Sequence, residues 1–495
     1  MFENVREANF LAPLSLILWV PITILLFLLV RPSLATMLSA LLAWMFLPER
    51  IVFDPPALPP LDKNAIAFLG SMACCLFFCP KRLWRARPRK GLDWLVPVLV
   101  VGAFGTAYTN RDSLTYGSTT LPALDWYDGI SIAVRDFVDV IIPFYLGRAL
   151  IQTKRDLRSL LTVLAGGALV YSLFILVEAR MSPQLNMWVY GFHQHSFVQT
   201  LRGGGYRPMV FMSHGLAVAL FVATALVAAI ALANLRGRVM MLPAKFVAPY
   251  LFVVLLICKS LGAIIYGLFL APVVWWSTAR NQIRLAVVLC TLAMAYPVLK
   301  ATDVFPSRAL VDLARTVSEE RAQSLEFRFD NDGDLMKKSR ERPWFGWGGF
   351  ARGRIYDKSG QNVSVTDGLW IILLSDSGVF GLVGCLGLLV GPVFLARRRV
   401  RLMADGEERL LVAALCLIVT ADAIDCLPNS INSSFEYFLP GALLGYLRAL
   451  SPARVLAQPR LTGSSLERGQ GYGRGGGERE APAFAPPLTG AGDKA

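Results

Sequence analysis

Residues 328–381 read RFDNDGDLMKKSRERPWFGWGGFARGRIYDKSGQNVSVTDGLWIILLSDSGVFG. An arginine-rich polar segment carries Arg342-Pro343-Trp344-Phe345-Gly346-Trp347-Gly348-Gly349-Phe350, then enters an apolar run through Asp367-Gly368-Leu369-Trp370. Almost everything on either side is apolar. The polar stretch therefore belongs outside a membrane and most of the remaining chain within one, with chemistry expected where the two meet.

The composition agrees. Of 495 residues, 55% are hydrophobic and 17% charged, and the mean hydropathy is +0.51, too little charge to cover a water-soluble globule. A helix needs about 20 apolar residues to cross a hydrocarbon core of about 30 Å. Apolar runs near 11–30, 33–48, 64–80, 93–109, 128–147, 159–178, 209–233, 242–258, 261–278, 283–299, 368–396, 409–426 and 432–450 predict an all-α polytopic integral membrane protein. The expectation is roughly 12–13 transmembrane helices with one long loop at 300–367.

Cations cluster in alternate connections: Lys81, Arg82, Arg85, Arg87, Arg89 and Lys90; Arg148, Lys154, Arg155 and Arg158; Arg236 and Arg238; Arg280 and Arg284; Arg397, Arg398, Arg399 and Arg401. The positive-inside rule puts all of them in the cytoplasm. The loops near 110–127, 179–208 and 300–367 then face the periplasm of a bacterial inner membrane, and alternation leaves the N-terminus outside. Met1 to Phe10 lacks a basic n-region, so the first run reads as an anchor. The eight cysteines lie within or at the end of apolar runs, without C-x-x-C pairs or histidine neighbours, which indicates neither a metal site nor a disulfide framework.

The expected organisation is 1–299 transmembrane, with an arginine-rich loop at 179–208; 300–367 a long loop; 368–450 further transmembrane helices; and 451–495, with its Gly/Arg tract, a disordered cytoplasmic tail. A solvated tail explains that tract better than nucleic-acid binding does. Residues 307–341 have spacings suited to amphipathic helix at a membrane surface, ending at Pro343 and the glycines that follow.

Several residues on the inferred periplasmic face have complementary chemistry. Arg202 and Arg207 flank Gly203-Gly204-Gly205, immediately before a run opening Met209-Val210-Phe211-Met212-Ser213-His214-Gly215. A guanidinium matches phosphate oxygens and glycines let backbone approach a bulky anion, although arginine at a span edge also reaches headgroups simply by snorkelling. Lys259 sits in a tight turn, a positive charge on the face where the orienting rule disfavours one. Arg328 lies in Phe327-Arg328-Phe329. Asp367 is the best placed carboxylate for general-base work and also fits as the cap of the helix beginning at Gly368. His214 is an alternative base or a sugar contact, and Trp344 and Trp347 could stack on sugar rings. His193 and His195 lack a third ligand for a metal. Within an apolar run, Arg135 and Asp139 have the i, i+4 spacing of a neutralising pair, with Asp136 beside them. No G-x-x-x-x-G-K-[S/T] occurs, which disfavours an ATP-driven pump.

The order of these features resembles the O-antigen ligase and polymerase superfamily of bacterial membrane glycosyltransferases. The similarity rests on Ser324, Arg328, Pro343-Trp344-Phe345-Gly346-Trp347-Gly348, Asp367-Gly368 and Asp376-Ser377-Gly378-Val379-Phe380-Gly381, with the upstream Arg-Gly loop, and covers about residues 180–450. It implies a GT-C-like membrane enzyme that uses an undecaprenyl-diphosphate-linked glycan donor, without a nucleotide or obligatory metal. Arg202, Arg207, Arg328 and Lys259 would then be diphosphate ligands, and Asp367 the base. Ligases of the superfamily usually carry histidine where Asp367 stands. Asp-Gly here, with Arg207, Pro208, Phe211, His214 and Gly215, looks more like a polymerase of exopolysaccharide or O-antigen repeat units. The other readings are a ligase delivering glycan to a lipid acceptor such as lipid A-core, a polysaccharide flippase working through Arg135, Asp136 and Asp139, and a non-catalytic scaffold. A chain-length regulator is a possible partner of the polymerase.

Overall fold

The computed structural model describes residues 2–3, 8–54, 60–88, 91–202, 204–316, 318–403, 405–430 and 433–450. The expected tail at 451–495, and Arg89 and Lys90 of the first cationic connection, lie outside them. The chain is helical nearly throughout, and strands occur among the described residues only as four short two-stranded pairs.

In chain order the helices are α1 (Leu11–Leu29), α2 (Pro32–Phe46), α3 (Lys63–Phe78), α4 (Pro80–Arg85), α5 (Leu95–Thr109), α6 (Trp126–Asp136), α7 (Ile142–Leu150), α8 (Lys154–Met181) and α9 (Leu185–Tyr190). They continue as α10 (Gly215–Asn234), α11 (Ala244–Ile257), α12 (Leu261–Trp276), α13 (Ala279–Ala301), α14 (Ser307–Arg315), α15 (Glu319–Ser339), α16 (Leu369–Arg399), α17 (Gly406–Asp425) and α18 (Phe435–Ala449). Helix thus falls within every apolar run marked in the sequence. Six helical stretches among the described residues are long and apolar enough to cross a membrane: Leu11–Leu29, Leu92–Thr109, Lys154–Met181, Gly215–Asn234, Ala279–Ala301 and Leu369–Leu402.

Residue size decides which helix is central. α10, rich in alanine, has 89% of its apolar window buried, whereas α1, built of leucine and isoleucine, has 28%. Small side chains let neighbours approach on every side, and large aliphatic ones are left facing outward. The same rule brings α7 against α18. A Cβ on Gly441 would lie 2.1 Å from the Phe144 carbonyl oxygen, and one on Gly445 2.3 Å from that of Arg148. Arg148 and Arg448 clamp the two carboxylate oxygens of Asp93 at 2.5 and 3.0 Å at the base of this contact.

Cationic connections gather at one end of the bundle. Lys154 meets Asp405 and Glu407, Arg158 meets Glu407, and Arg31 in the α1–α2 turn meets Asp156. The start of α1 lies at the other end, where Asn9 donates from its side chain to the Val189 carbonyl and from its backbone to that of Tyr190. Residues 300–367 also belong to that loop-bearing end.

Two runs expected to be continuous spans are interrupted. The run at 128–147 is split by a π-helical turn at Phe137–Ile141, which shifts the phase between Arg135 and Asp139. They form no ion pair, contrary to the simple i, i+4 expectation. The run at 368–396 breaks at Gly378, which adopts φ 63° and ψ −160° inside α16.

Candidate functional site

The segment from Arg207 to Ser213 is non-helical chain, buried from Arg207 to Met212, so its backbone groups need partners from elsewhere. Buried polar side chains supply them. Glu178 of α8 accepts from the amides of Met209 (2.8 Å), Val210 (2.7 Å) and Leu185 (3.1 Å). Tyr171 accepts from Phe211 N (3.0 Å), Gln194 donates to the carbonyls of Val210 and Met212, and Lys63 donates to that of Phe211 (3.4 Å). Such locked backbone is a mount for the residues just before it.

Those residues are the expected cations. Leu201–Arg202 pairs antiparallel with Gly205–Tyr206, and Arg207 N donates to Thr200 O at 2.7 Å. The Arg207 guanidinium crosses the start of α10 and donates to the Lys259 carbonyl at 3.2 Å, while Lys259 Nζ donates to the Arg202 carbonyl at 3.1 Å. A Cβ on Gly215 would lie 2.5 Å from both Cγ and Cδ of Arg207. The same Cβ would lie 2.9 Å from the Pro208 carbonyl oxygen, so Gly215→Ala is expected to displace both the Arg207 side chain and the backbone that carries it. The measurement is anion affinity and melting temperature, with both falling.

His214 caps α10, its Nδ1 accepting from Leu216 N at 3.1 Å, and its Nε2 lies 3.3 Å from Gln199 Oε1. Burial, then His195, Arg207, Arg202 and Arg328, push its pKa down to about 4. The imidazole is therefore neutral at pH 7, as the capping bond requires, and Arg207, Arg202 and Arg328 all act on it electrostatically. His195 packs edge-on against it at 4.8 Å.

Arg328 reaches this neighbourhood from α15. The face carrying Asp332, Leu335, Met336 and Ser339 is buried, and Leu335 and Met336 pack with Tyr296 of α13 and Trp370, Ile371 and Leu374 of α16. Burying two such side chains contributes about 1.5–3 kcal/mol each, which seats the helix. Arg328 Nε then lies 3.5 Å from Asp367 Oδ2, and its Nη1 donates to Pro428 O at 3.1 Å. Asp367 was expected as a helix cap as much as a base. The structure corrects the first reading: Gly368 is the N-cap, no side chain caps α16, and Asp367 is the counter-ion of Arg328. The amide of Leu369 donates to the carbonyls of Cys426 (2.9 Å) and Asn429 (3.1 Å), which ties the segment to the turn after α17.

Sequence reading missed Asp332. It lies one helical turn from Arg328, is 7% exposed, and sits beside the Tyr296 phenol. Burial raises its pKa to about 7, with Asp367 adding repulsion against the attraction of Lys300 and Arg328. The spacing Ser324, Arg328, Asp332 puts all three on one face of α15, and that i, i+4, i+8 pattern was the available signal.

The glycine-tryptophan element has a different role from the one its composition suggested. Trp347 N and Gly348 N donate to the carbonyls of Ser375 and Asp376 at 2.8 Å, and Val379 N and Phe380 N donate back to Pro343 and Trp344 at 2.8 and 3.2 Å. Residues 343–348 therefore fill the break in α16. A Cβ on Gly346 would lie 2.6 Å from Gly378 N, and one on Gly378 2.3 Å from Trp344 O. Trp347 is 5% exposed, with Lys338 and Arg342 against its ring at 3.9 and 4.2 Å; its faces are occupied by cations, which corrects the expectation that it stacks on sugars. Trp344 is exposed.

Other arginines of this loop hold it down. Arg352, fully buried, donates to the carbonyls of Trp347 (3.1 Å), Asp112 (2.9 Å) and Pro122 (2.6 Å), and Arg342 bonds Thr109 O, Asn110 Oδ1 and Asp112 Oδ2. Both are clamps between 342–352 and the loop after α5.

Among the described residues no group of three or more His, Cys, Asp or Glu side chains is arranged to hold a metal ion. The site is instead a set of cations, Arg202, Arg207, Lys259 and Arg328, facing a neutral imidazole, with two carboxylates of unlike exposure beside Arg328. Such a set can bind a multiply charged anion and accept a proton next to it. No family model matches the chain and no curated protein matches it.

Proposed function

We propose that the chain is a glycosyltransferase of the bacterial inner membrane that polymerises undecaprenyl-diphosphate-linked repeat units at its periplasmic face. The observation that carries this reading is the gathering of Arg202, Arg207 and Arg328 around His214, with Asp367 against Arg328, at the loop-bearing end of an apolar helical bundle. The resemblance of residues 180–450 to the O-antigen ligase and polymerase superfamily supports it, as does the docking of its Pro-x-x-Gly-x-Gly element into the α16 break. The expected span count, the GT-C-like arrangement and the periplasmic orientation belong to this same reading.

The chemistry follows from charge. An acceptor hydroxyl attacks the anomeric carbon, the carbon–oxygen bond to the diphosphate breaks, and the arginines stabilise the negative charge that collects on the leaving group. Asp367 takes the hydroxyl proton. Asp332 is a positioning residue in this scheme. Below about pH 7 it is protonated, so Arg328 is balanced by Asp367 alone and remains attractive to the anionic donor. Above that, a second negative charge opposes donor binding. Activity is therefore expected to fall as pH rises through about 7, and the fall should vanish in Asp332→Asn. Because the folded-state pKa is raised, the stability held by that proton is likewise lost as pH rises through about 7. Recording kcat/KM and melting temperature against pH for both proteins checks both signs.

The test of function is the lipid-linked glycan pattern of a strain lacking the chain. Single repeat units on the lipid, with long chains absent, are expected. Long lipid-linked chains that never reach an acceptor would identify a ligase instead, and an unchanged pattern would remove the proposal.

A further inference from the structure

A second polar site lies one helical turn deeper than the Asn429 turn, and its features do not depend on sugar transfer. Asp422 of α17 and Glu436 of α18 are 4% and 7% exposed. Both line a cavity of about 20 Å³, room for a single water, whose wall also includes Trp44, Leu164, Phe221, Thr224 and Phe435. Asp422 Oδ2 is buried without a hydrogen-bond partner among the described residues.

The surrounding charges make full ionisation untenable. Among the described residues neither carboxylate has a cation within ion-pair distance. Asp425, one turn along α17, is a third acid; it accepts from Asn429 Nδ2 at 3.0 Å, with Tyr266 of α12 beside it and Arg328 acting on it from α15. Cys426 lies next along the chain, near all three acids. Cys290 of α13 is engaged by Thr420 at 3.3 Å, and Cys385 of α16 by Tyr437. The cavity wall contributed by α2, α8 and α10 carries no charge. Two carboxylates that line one cavity in an apolar interior, without a counter-ion among the described residues, are costly to ionise together.

We propose that Asp422 and Glu436 form a proton-binding site, holding at least one proton, with a water in the cavity completing the hydrogen bonds of Asp422 and with Asp425 as the contact to the loop-bearing end. Only a carboxylate–proton bond forms or breaks, and the proton exchanges with solvent. The site's position beneath the turn after α17 couples its occupancy to the segment that carries Asp367, since Leu369 N hangs on the carbonyls of Cys426 and Asn429 in that turn.

Infrared spectroscopy of the full chain in lipid vesicles at pH 7 tests this. Wild type is expected to show protonated-carboxyl absorption that shifts in heavy water and is reduced in the Asp422→Asn/Glu436→Gln double variant, whose amides mimic the neutral acids. Equal absorption in wild type and variant overturns the proposal. So does conversion of that absorption to carboxylate when choline is replaced by sodium, since the ligand would then be the metal cation. If the double variant does not fold, each single variant is compared with wild type for carbodiimide modification mapped to residues 422 and 436; modification of wild type at either position, lost when that residue is replaced, supports the site, and its absence at both overturns it.

Discussion

Arg207→Ala and Arg328→Ala are each expected to lower polymerisation on the order of 10²–10³-fold, the cost of removing one pre-positioned donor from a developing anion, with expression and melting temperature close to wild type. The two losses should differ in kind. Arg207 is 9% exposed and braced by Gly215 and the Lys259 carbonyl, so lysine cannot reproduce its fork and Arg207→Lys should be nearly as damaged. Arg328 is more open and is balanced by Asp367 at 3.5 Å; Arg328→Lys should keep part of the activity, and Asp367→Asn should lose it while binding the donor normally. Donor binding by the purified variants and turnover in vesicles separate these outcomes. Full activity in both alanine variants would remove the diphosphate assignment.

Arg352→Ala is expected to be the most destabilising single change in the polar loop. The guanidinium is fully buried and its donors satisfy the carbonyls of Trp347, Asp112 and Pro122. Removing it leaves these acceptors unsatisfied, at about 1–3 kcal/mol for each that stays buried without a partner, while Asp112 keeps Arg342 as its ion-pair partner. Arg352→Lys should recover little, because one ammonium cannot reach three carbonyls on different segments. Gly378→Ala should act at the same joint: its φ of 63° strains any side chain, and a Cβ would meet the Trp344 carbonyl at 2.3 Å. Thermal unfolding followed by tryptophan fluorescence measures both, and proteolysis within 343–367 should speed up in parallel. A wild-type melting temperature in Arg352→Ala would show that the loop is held by other contacts.

These experiments distinguish two kinds of arginine that composition alone cannot. Residues 328–352 contain Arg328, Arg340, Arg342 and Arg352, all unexpected on a face that the orienting rule leaves poor in positive charge. Arg342 and Arg352 have their donors spent on backbone carbonyls and Asp112, and Arg340 donates to the Ala301 carbonyl. Arg328 alone of the four joins the neighbourhood of His214. In the sequence all four look alike, because a side chain's role depends on which carbonyls the fold brings within reach, and those lie on segments as distant as 109–122 and 301.

The sequence by itself determined the helical, membrane type of the chain, the approximate place of the helix in each apolar run and the clustering of cations between those runs. Each of these is a local property: a run of apolar side chains satisfies its own backbone only as helix, and charge excluded from such runs must lie at their ends. Only the tertiary structure decided the rest. Glu178 as the anchor of the 209–210 backbone, Asp332 beside Arg328, Asp367 as counter-ion rather than cap, Trp347 as core, and the pair of carboxyls at Asp422 and Glu436 all arise from contacts between remote segments. Desolvation is what gives those residues their chemistry, and it is set by neighbours the local sequence does not contain.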